Sequence, residues 1–314
     1  MARYLVTGGA GFIGSSIVDE LVRRREEVKV LDDLSSGKKK NLEDVLSKIE
    51  LIEGDIRDPA ALKKALKGCD YVIHQAALRS VPKSLEDPLL YDDVNVKGTL
   101  SVLVASHENK IKRVVFASSS SVYGDTVKLP QSEDQIPQPI SPYAATKLSG
   151  EHYLRVFAKS YGLETVALRY FNVFGPRQSL ESEYAVVIPK FITCILKDEQ
   201  PPVDGDGKQS RDFTYVDNVV EANLAAAVRE GVSGEAFNVA CGKGYDLLEL
   251  VRILNEIIGK DIKPKFMPPR AGDVKHTLAD VTKMKKLLKI DPKVDLVSGL
   301  KKTVEYFKSV SGKS

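Results

Sequence analysis

The chain is poor in the residues that build disulfide and metal chemistry. Its three cysteines (Cys69, Cys194, Cys241) form no CxxC pair, and its four histidines (His74, His107, His152, His276) are scattered, so no metal site is expected. Thiols without a pairing pattern fit a reducing compartment. No apolar run approaches the roughly 18 residues of a membrane span, and the N-terminus enters a strand at once. Neither a span nor a signal peptide is therefore expected, and the reading is a cytoplasmic protein. An excess of one charge is also missing. The 46 basic and 43 acidic side chains leave a net charge of +3, which gives no reason to propose a nucleic-acid or membrane partner. Lys38-Lys39-Lys40 reads as solvated surface.

What is present is an ordinary globular composition, 43% hydrophobic and 28% charged over 314 residues, enough for one large domain or two intimate ones. No internal repeat or low-complexity linker divides it. The first half alternates apolar runs with helical stretches, the pattern of a parallel sheet covered by helices. Strands are expected at Tyr4–Val6, 27–31, 51–53, 71–73 and 113–117. Helices are expected over Pro59–Leu66, Asp92–Ser106, from Pro142 to about Tyr161, and over Tyr184–Leu196.

Between the first strand and its helix lie Gly8, Gly11 and Gly14, with Phe12 and Ile13 inside the turn. Glycines let the backbone approach a pyrophosphate closely, and the helix N-terminus presents free N–H groups and partial positive charge. The spacing is Gly-x-x-Gly-x-x-Gly, so a glycine-rich turn without a ligand stays open until the second strand is read. That strand ends in Asp32-Asp33, with Asp32 18 residues beyond Gly14. A carboxylate there accepts both ribose hydroxyls of an adenosine and repels a 2′-phosphate, which points to NAD over NADP. A solvated acidic turn is the plain alternative. Asp55 and Ile56 end the third strand and suit an adenine edge. Gln75-Ala76-Ala77 end the fourth, where small residues let a cofactor backbone pass, and Asn95 is a polar residue able to point inward.

The fifth strand delivers Ser118, Ser119, Ser120 and Ser121. Strand alternation puts Ser119 and Ser121 on one side; a serine-rich exit satisfied by backbone is the alternative. Tyr143 and Lys147 follow at i and i+4, on one face of a helix. An ammonium and a cofactor cation beside a phenol favour phenolate, and moving a tyrosine from about 10 to near 7 takes on the order of 4 kcal/mol.

Taken together, Gly8-x-x-Gly11-x-x-Gly14, Ser119 to Gly124, Tyr143-x-x-x-Lys147 and Leu168 to Gln178 resemble the extended short-chain dehydrogenase/reductase superfamily, in its nucleotide-sugar-modifying branch. The resemblance covers essentially the whole chain. It implies a Rossmann-type doubly wound parallel sheet with a smaller C-terminal substrate-binding α/β domain. The NAD-binding domain would span 1–171, completed by a later segment over roughly 211–240, and 172–314 would bind mainly the UDP-sugar. It adds Ser35, Ser36, Gly37, Arg79, Ser118, Tyr170 and Val173 to the cofactor side. To the substrate side it adds Arg79, Ser80, Asn172, Gln178, Ala185, Val186, Val187, Lys190, Val203, Arg211, Arg270, Asp273 and Thr277. Tyr143, Lys147, Ser119, Ser120 and Ser121 would form the catalytic set, with Tyr143 the base and Lys147 also holding the nicotinamide ribose.

Within that branch, Ser120-Ser121 stand where a dehydratase carries Asp-Glu, Asp32 disfavours an NADP-dependent reductive enzyme, and no carboxylate-binding group of a decarboxylase stands near the serines. The resemblance therefore implies a UDP-hexose 4-epimerase that passes through a 4-keto sugar, forms a homodimer and retains its NAD. Thr277 falls on a position whose small occupants admit N-acetyl sugars, whereas Arg79 is large where strongly N-acetyl-preferring members are small. An enzyme acting on UDP-GlcNAc/UDP-GalNAc and on UDP-glucose/UDP-galactose is expected. A UDP-glucuronate decarboxylase or 4-epimerase and a non-catalytic NAD-binding scaffold remain as alternatives.

Overall fold

Strand β1 (Arg3–Thr7) lies inside a seven-stranded sheet, with strands on both flanks. The computed structural model describes residues 1–179, 187–269 and 275–311. After β1 come α1 (Phe12–Arg23), β2 (Glu27–Asp32), β3 (Glu50–Glu53), α2 (Pro59–Leu66) and β4 (Tyr71–His74). Two short helices, α3 (Val81–Glu86) and α4 (Pro88–Tyr91), lead through widened turns at Asp92–Lys97 into α5 (Gly98–Glu108). Then follow β5 (Arg113–Ser119), α6 (Pro142–Val156) and β6 (Glu164–Tyr170). The remainder supplies β7 (Val173–Phe174), α7 (Val187–Leu196), β8 (Pro202–Asp204), β9 (Ser210–Asp212), β10 (Thr214–Tyr215), α8 (Val216–Val228), β11 (Glu235–Val239), β12 (Gly244–Asp246), α9 (Leu247–Ile258), β13 (Lys265–Met267) and α10 (Leu296–Ser311).

The sheet order is β11-β6-β5-β4-β1-β2-β3 with every pairing parallel. Its strands are apolar on both faces because helices cover both. Tyr4, Val6, Val28, Val30, Val115, Val166 and Leu168 enter the larger core, while the alternate residues Leu5, Leu31, Val114, Phe116 and Ala167 enter the second. The larger core continues without a break from the sheet through α8 into α7, α9 and α10. The late strand β11 pairs with β6 and extends the first-half sheet.

The chain runs outward from β1 through β2 to β3, then returns to place β4 on the other flank of β1. Strand order reverses there, and the carboxyl ends of β1 and β4 open a crevice of the kind that receives dinucleotides. Helix α6 is aimed at that crevice by its start. Ser141 accepts from the Ala144 amide at 3.2 Å and Pro142 occupies the first turn. The expected end near Tyr161 is reached by a widened turn over Phe157–Tyr161, closed by Gly162 in the left-handed conformation.

Candidate active site

Backbone alone closes the turn after β1. Gly8 has a φ of +66°, and a Cβ there would lie 2.6 Å from the Ala76 nitrogen. A Cβ on Gly14 would lie 2.1 Å from the Gly8 carbonyl oxygen, so a side chain at either position forces the turn open. Helix α1 begins after Gly11 with no side-chain cap and no acid in its first turn. Its leading N–H groups and positive dipole end are thus left for an anion. Asp32 is buried at the end of β2, where Oδ2 accepts from the Ala10 amide at 2.8 Å and Oδ1 from the Leu34 amide at 2.9 Å. A carboxylate has about four acceptor sites, so capacity remains for two ribose hydroxyls. Burial raises the Asp32 pKa, and the two amide bonds oppose the rise. Asp33 is exposed and accepts from the Ser35 amide and hydroxyl, shaping the turn that brings buried Gly37 against Asp32. This cradle fits a dinucleotide with free ribose hydroxyls.

At the crevice floor Thr7 and His74 are register partners, with Thr7 Oγ1 2.6 Å from His74 Nδ1 and His74 Nε2 3.1 Å from Thr99 Oγ1. Burial, with the nearby Lys147 charge, lowers the imidazole to about 3, so it is neutral. Asn95 pins the loop beyond β4. It accepts from the Leu78 amide at 2.8 Å and donates to the Leu78 carbonyl at 2.9 Å and to Thr146 Oγ1 at 3.0 Å. The Tyr91 hydroxyl accepts from the Ser80 amide at 3.0 Å, so the backbone is anchored on both sides of exposed Arg79.

Tyr143, Lys147 and Ser119 converge between α6 and the end of β5. Burial raises the Tyr143 hydroxyl above its ordinary pKa, and a hydrogen bond with Ser119 and the Arg79 charge pull it back down. Lys147 is buried, donates to the Ala117 carbonyl at 2.8 Å, and lies 5.9 Å from the centre of the Tyr143 ring. Desolvation lowers its ammonium to about 7. Ser121 Oγ donates to Ser119 Oγ at 2.8 Å, which extends the hydroxyl chain.

On the other rim, Asn172 Nδ2 donates to the Asp212 carbonyl at 3.1 Å and to Thr277 Oγ1 at 3.2 Å. The Asp212 carboxylate is fully buried and accepts from the amides of Cys241 at 3.0 Å, Gly242 at 2.9 Å and Ala279 at 3.3 Å. Burial raises it to about 6 against those bonds. Gln178 Nε2 donates to the Val173 carbonyl at 2.9 Å, and the Arg211 guanidinium donates to the Ser210 and Lys275 carbonyls.

A profile described as the NAD dependent epimerase/dehydratase family matches residues 4–240. The chain belongs to that family. It is 40% identical to a putative UDP-glucose 4-epimerase of Methanocaldococcus jannaschii over 97% of this chain and 98% of that protein. Among solved structures, the UDP-N-acetylglucosamine 4-epimerase of Methanobrevibacter ruminantium, in complex with UDP-N-acetylmuramic acid, superposes with a TM-score of 0.95 at 45% identity, covering 98% of this chain and 99% of that one. The UDP-glucose 4-epimerase of Thermotoga maritima, with UDP-glucose, gives 0.93 at 42% identity over the same shares.

As a member of the epimerase/dehydratase family the chain uses NAD, and its glycine turn and Asp32 are the residues fitted to hold it. Several expectations change in the structure. Ser121 meets Ser119 through the tight helical turn Ser120–Tyr123, because β5 ends at Ser119 and strand alternation stops there. Ser118 lies on the α6 side of the sheet, on the face of Phe116, and donates to Glu151 Oε1 at 2.5 Å. Val203 is fully buried in the larger core, so its side chain is not a pocket wall. Ser119 and Arg79 draw the Tyr143 hydroxyl down, and Lys147 Nζ lies 5.9 Å from the centre of its ring.

Other expected residues are spent on protein partners. The Tyr170 hydroxyl accepts from Gln75 at 2.9 Å and donates to Asn223 at 3.0 Å, and both Asn95 donors are used. The Asp55 carboxylate is gripped by Arg57, which also pairs with Asp93. Ile56 and Gln178 are buried; Phe12, Ile13, Ala76, Ala77, Val173, Val187 and Ser120 are half-buried; Ser36 and Lys190 are exposed. Tyr184, Ala185, Val186, Arg270 and Asp273 lie outside the described residues. Sequence reasoning did not find His74, Asp212, Glu151 or Arg169. Glu151 had a signal: it continues the Tyr143, Lys147 spacing by one more turn of α6.

Proposed function

We propose that this protein is a UDP-sugar 4-epimerase that interconverts UDP-GlcNAc with UDP-GalNAc and UDP-glucose with UDP-galactose. The observation that carries the reading is the convergence of Tyr143, Ser119 and Lys147 at the carboxyl end of β5, beside a cradle fitted to NAD. Bound NAD supplies reversible hydride removal and return at the sugar C4. Tyr143 takes the C4 hydroxyl proton and gives it back, with the Ser119 hydroxyl stabilising its phenolate. Lys147, fixed on the Ala117 carbonyl, keeps its other donors for the cofactor ribose. Thr277, bonded to Asn172, presents a short side chain at the sugar rim, which supports admission of the N-acetyl group.

The deciding experiment is turnover of UDP-GlcNAc and UDP-glucose side by side, without added cofactor and with products separated. Conversion of both, or chiefly of the N-acetyl sugar, is expected. Conversion of UDP-glucose alone would overturn the open rim at Thr277. No conversion of either would favour an acidic sugar, because Arg79 is exposed and has no ion pair among the described residues; UDP-glucuronate tests that reading.

The dimer proposed with this activity uses the outer faces of α5 and α6. Val104 on α5, Val156 on α6 and Tyr161 just beyond α6 are 42%, 47% and 52% exposed. Replacing Val104 and Val156 by aspartate should give a monomer by light scattering.

A further inference from the structure

Three consecutive residues of β5 each engage a different turn of α6. The Ala117 carbonyl accepts from Lys147 Nζ at 2.8 Å. Ser118 Oγ donates to Glu151 Oε1 at 2.5 Å. Ser119 stands beside Tyr143 and draws the pKa of its hydroxyl down. Tyr143, Lys147 and Glu151 are spaced by four, so they form one stripe along the helix, and the end of β5 meets every turn of it.

The Glu151 end of the stripe is heavily braced. Arg169 on β6 donates from Nε to Glu151 Oε1 at 2.9 Å and from a terminal nitrogen to Oε2 at 2.7 Å. Both side chains are buried, at 5% and 8% exposure. The other terminal nitrogen of Arg169 donates to the Tyr123 hydroxyl at 2.9 Å, and that hydroxyl donates to Asn238 Oδ1 on β11 at 2.7 Å. A network running from β11 through Tyr123 in the turn after β5, Arg169 on β6 and Glu151 on α6 thus ends on Ser118, between the residues of β5 that meet Lys147 and Tyr143.

A buried ion pair contributes little net stability, since desolvation offsets its attraction, but it penalises any arrangement that breaks it. A slip of α6 along β5 by one residue would leave Glu151 and Arg169 charged, buried and unpaired. We propose that Ser118, Glu151 and Arg169 are positioning residues for the reaction: they set the register of α6 on β5 and so hold Tyr143 against Ser119. The proposal rests on the epimerase reading for its kinetic consequence but not for its geometric one.

Ser118→Ala removes the latch on β5 without stranding a charge, because Glu151 keeps both Arg169 bonds. It should lower kcat about tenfold, a transition-state loss equivalent to one decade, with KM and retained NAD unchanged. The acidic limb of the kcat pH profile should move upward as the Ser119 bond to Tyr143 loosens. The other groups facing that hydroxyl, Arg79 from the loop after β4, Tyr91 from α4 and Lys147 from α6, are not altered. The double variant Glu151→Met/Arg169→Met replaces the pair with apolar volume and should stay folded by thermal melting, yet lose turnover to at least the same degree.

A substrate-free readout separates this proposal from the epimerase reading. In protein labelled at tyrosine Cζ, the Tyr143 resonance (assigned by its loss in Tyr143→Phe) should titrate higher in Ser118→Ala than in wild type. If Ser118→Ala keeps wild-type kcat, pH profile and Tyr143 titration, the latch has no positioning role. Should the double variant fail to fold, Ser118→Ala decides alone. Should wild type turn over no UDP-sugar, the titration decides.

Discussion

The two ends of the crevice, the one proposed to hold the nucleotide and the one proposed to hold the sugar, are built in opposite ways. At the nucleotide end the parts are close in sequence: Gly8, Gly11 and Gly14 share one turn, and Asp32 follows on the next strand, bonded to Ala10 and Leu34. At the proposed sugar end the bonds that join the elements are distant. Asn172 reaches Thr277 across 105 positions, and Asp212 reaches Ala279 across 67. The first end is a local motif whose backbone conformation is dictated by glycine. The second is assembled by a buried carboxylate that ties the backbone near Cys241, Gly242 and Ala279 to β9. Local construction makes the nucleotide end generic, and distant construction leaves the sugar end free to differ in specificity.

Substitutions can break this contrast, and the largest effect belongs to the chemistry between the two ends. Tyr143→Phe should cost about 10²- to 10⁴-fold in turnover, the usual range for a lost acid/base group. The NAD released on denaturation should equal that of wild type; retained activity would sink Tyr143 as base. Gly14→Val should act on the nucleotide end alone. Its Cβ would meet the Gly8 carbonyl at 2.1 Å, an overpacking that costs about 1–3 kcal/mol. Retained NAD should fall, and turnover should drop equally for N-acetylated and plain sugars. Unequal loss would show that the two ends are not separable.

Asp212→Asn should do the reverse. An amide nitrogen in place of one oxygen faces backbone N–H donors, leaving buried groups unsatisfied at about 1–3 kcal/mol. KM for the UDP-sugar should rise while NAD retention holds. Folding raises this carboxyl to about 6 from 3.8, so between those values the native state keeps a proton that the unfolded chain has released. Its contribution favours folding at low pH and is lost as pH rises through about 4 to 6. Melting of wild type and Asp212→Asn across that range should therefore show the wild-type advantage shrinking as pH rises. A pH-independent gap would argue against a titrating Asp212. The narrowest effect is one of specificity. Thr277→Tyr should reduce turnover of UDP-GlcNAc by about 10- to 200-fold relative to UDP-glucose, the range steric pockets achieve. An unchanged ratio would move the specificity determinant elsewhere.

The same division marks what could be read from the residues. Apolar runs located the strands from β1 to β5, because strands buried on both faces must be apolar throughout. The glycine turn at Gly8 and Gly14, the placement of Asp32 at the end of β2 and the shared helix face of Tyr143 and Lys147 were legible because each is a short-range pattern. The roles of Ser118, Asn95 and Tyr170 were not. Polar residues at strand ends and helix starts are equally suited to a ligand or to a buried protein partner, and sequence does not say which arrives. Ser118 meets Glu151, Asn95 meets Leu78 and Tyr170 meets Gln75 and Asn223. The charge state of the lysine beside Tyr143 was also beyond reach, because it depends on burial, and Lys147 is desolvated to about 7.

By itself the sequence determined the parallel sheet, the glycine turn and the Tyr143/Lys147 stripe on α6. Each follows from a periodicity or a backbone constraint spanning few residues. Only the tertiary structure decided how α6 sits on β5, which polar side chains face the crevice, and how Asn172, Asp212 and Thr277 close the sugar rim. Those outcomes depend on which distant groups become buried together, and burial is a property of the packed chain rather than of any segment.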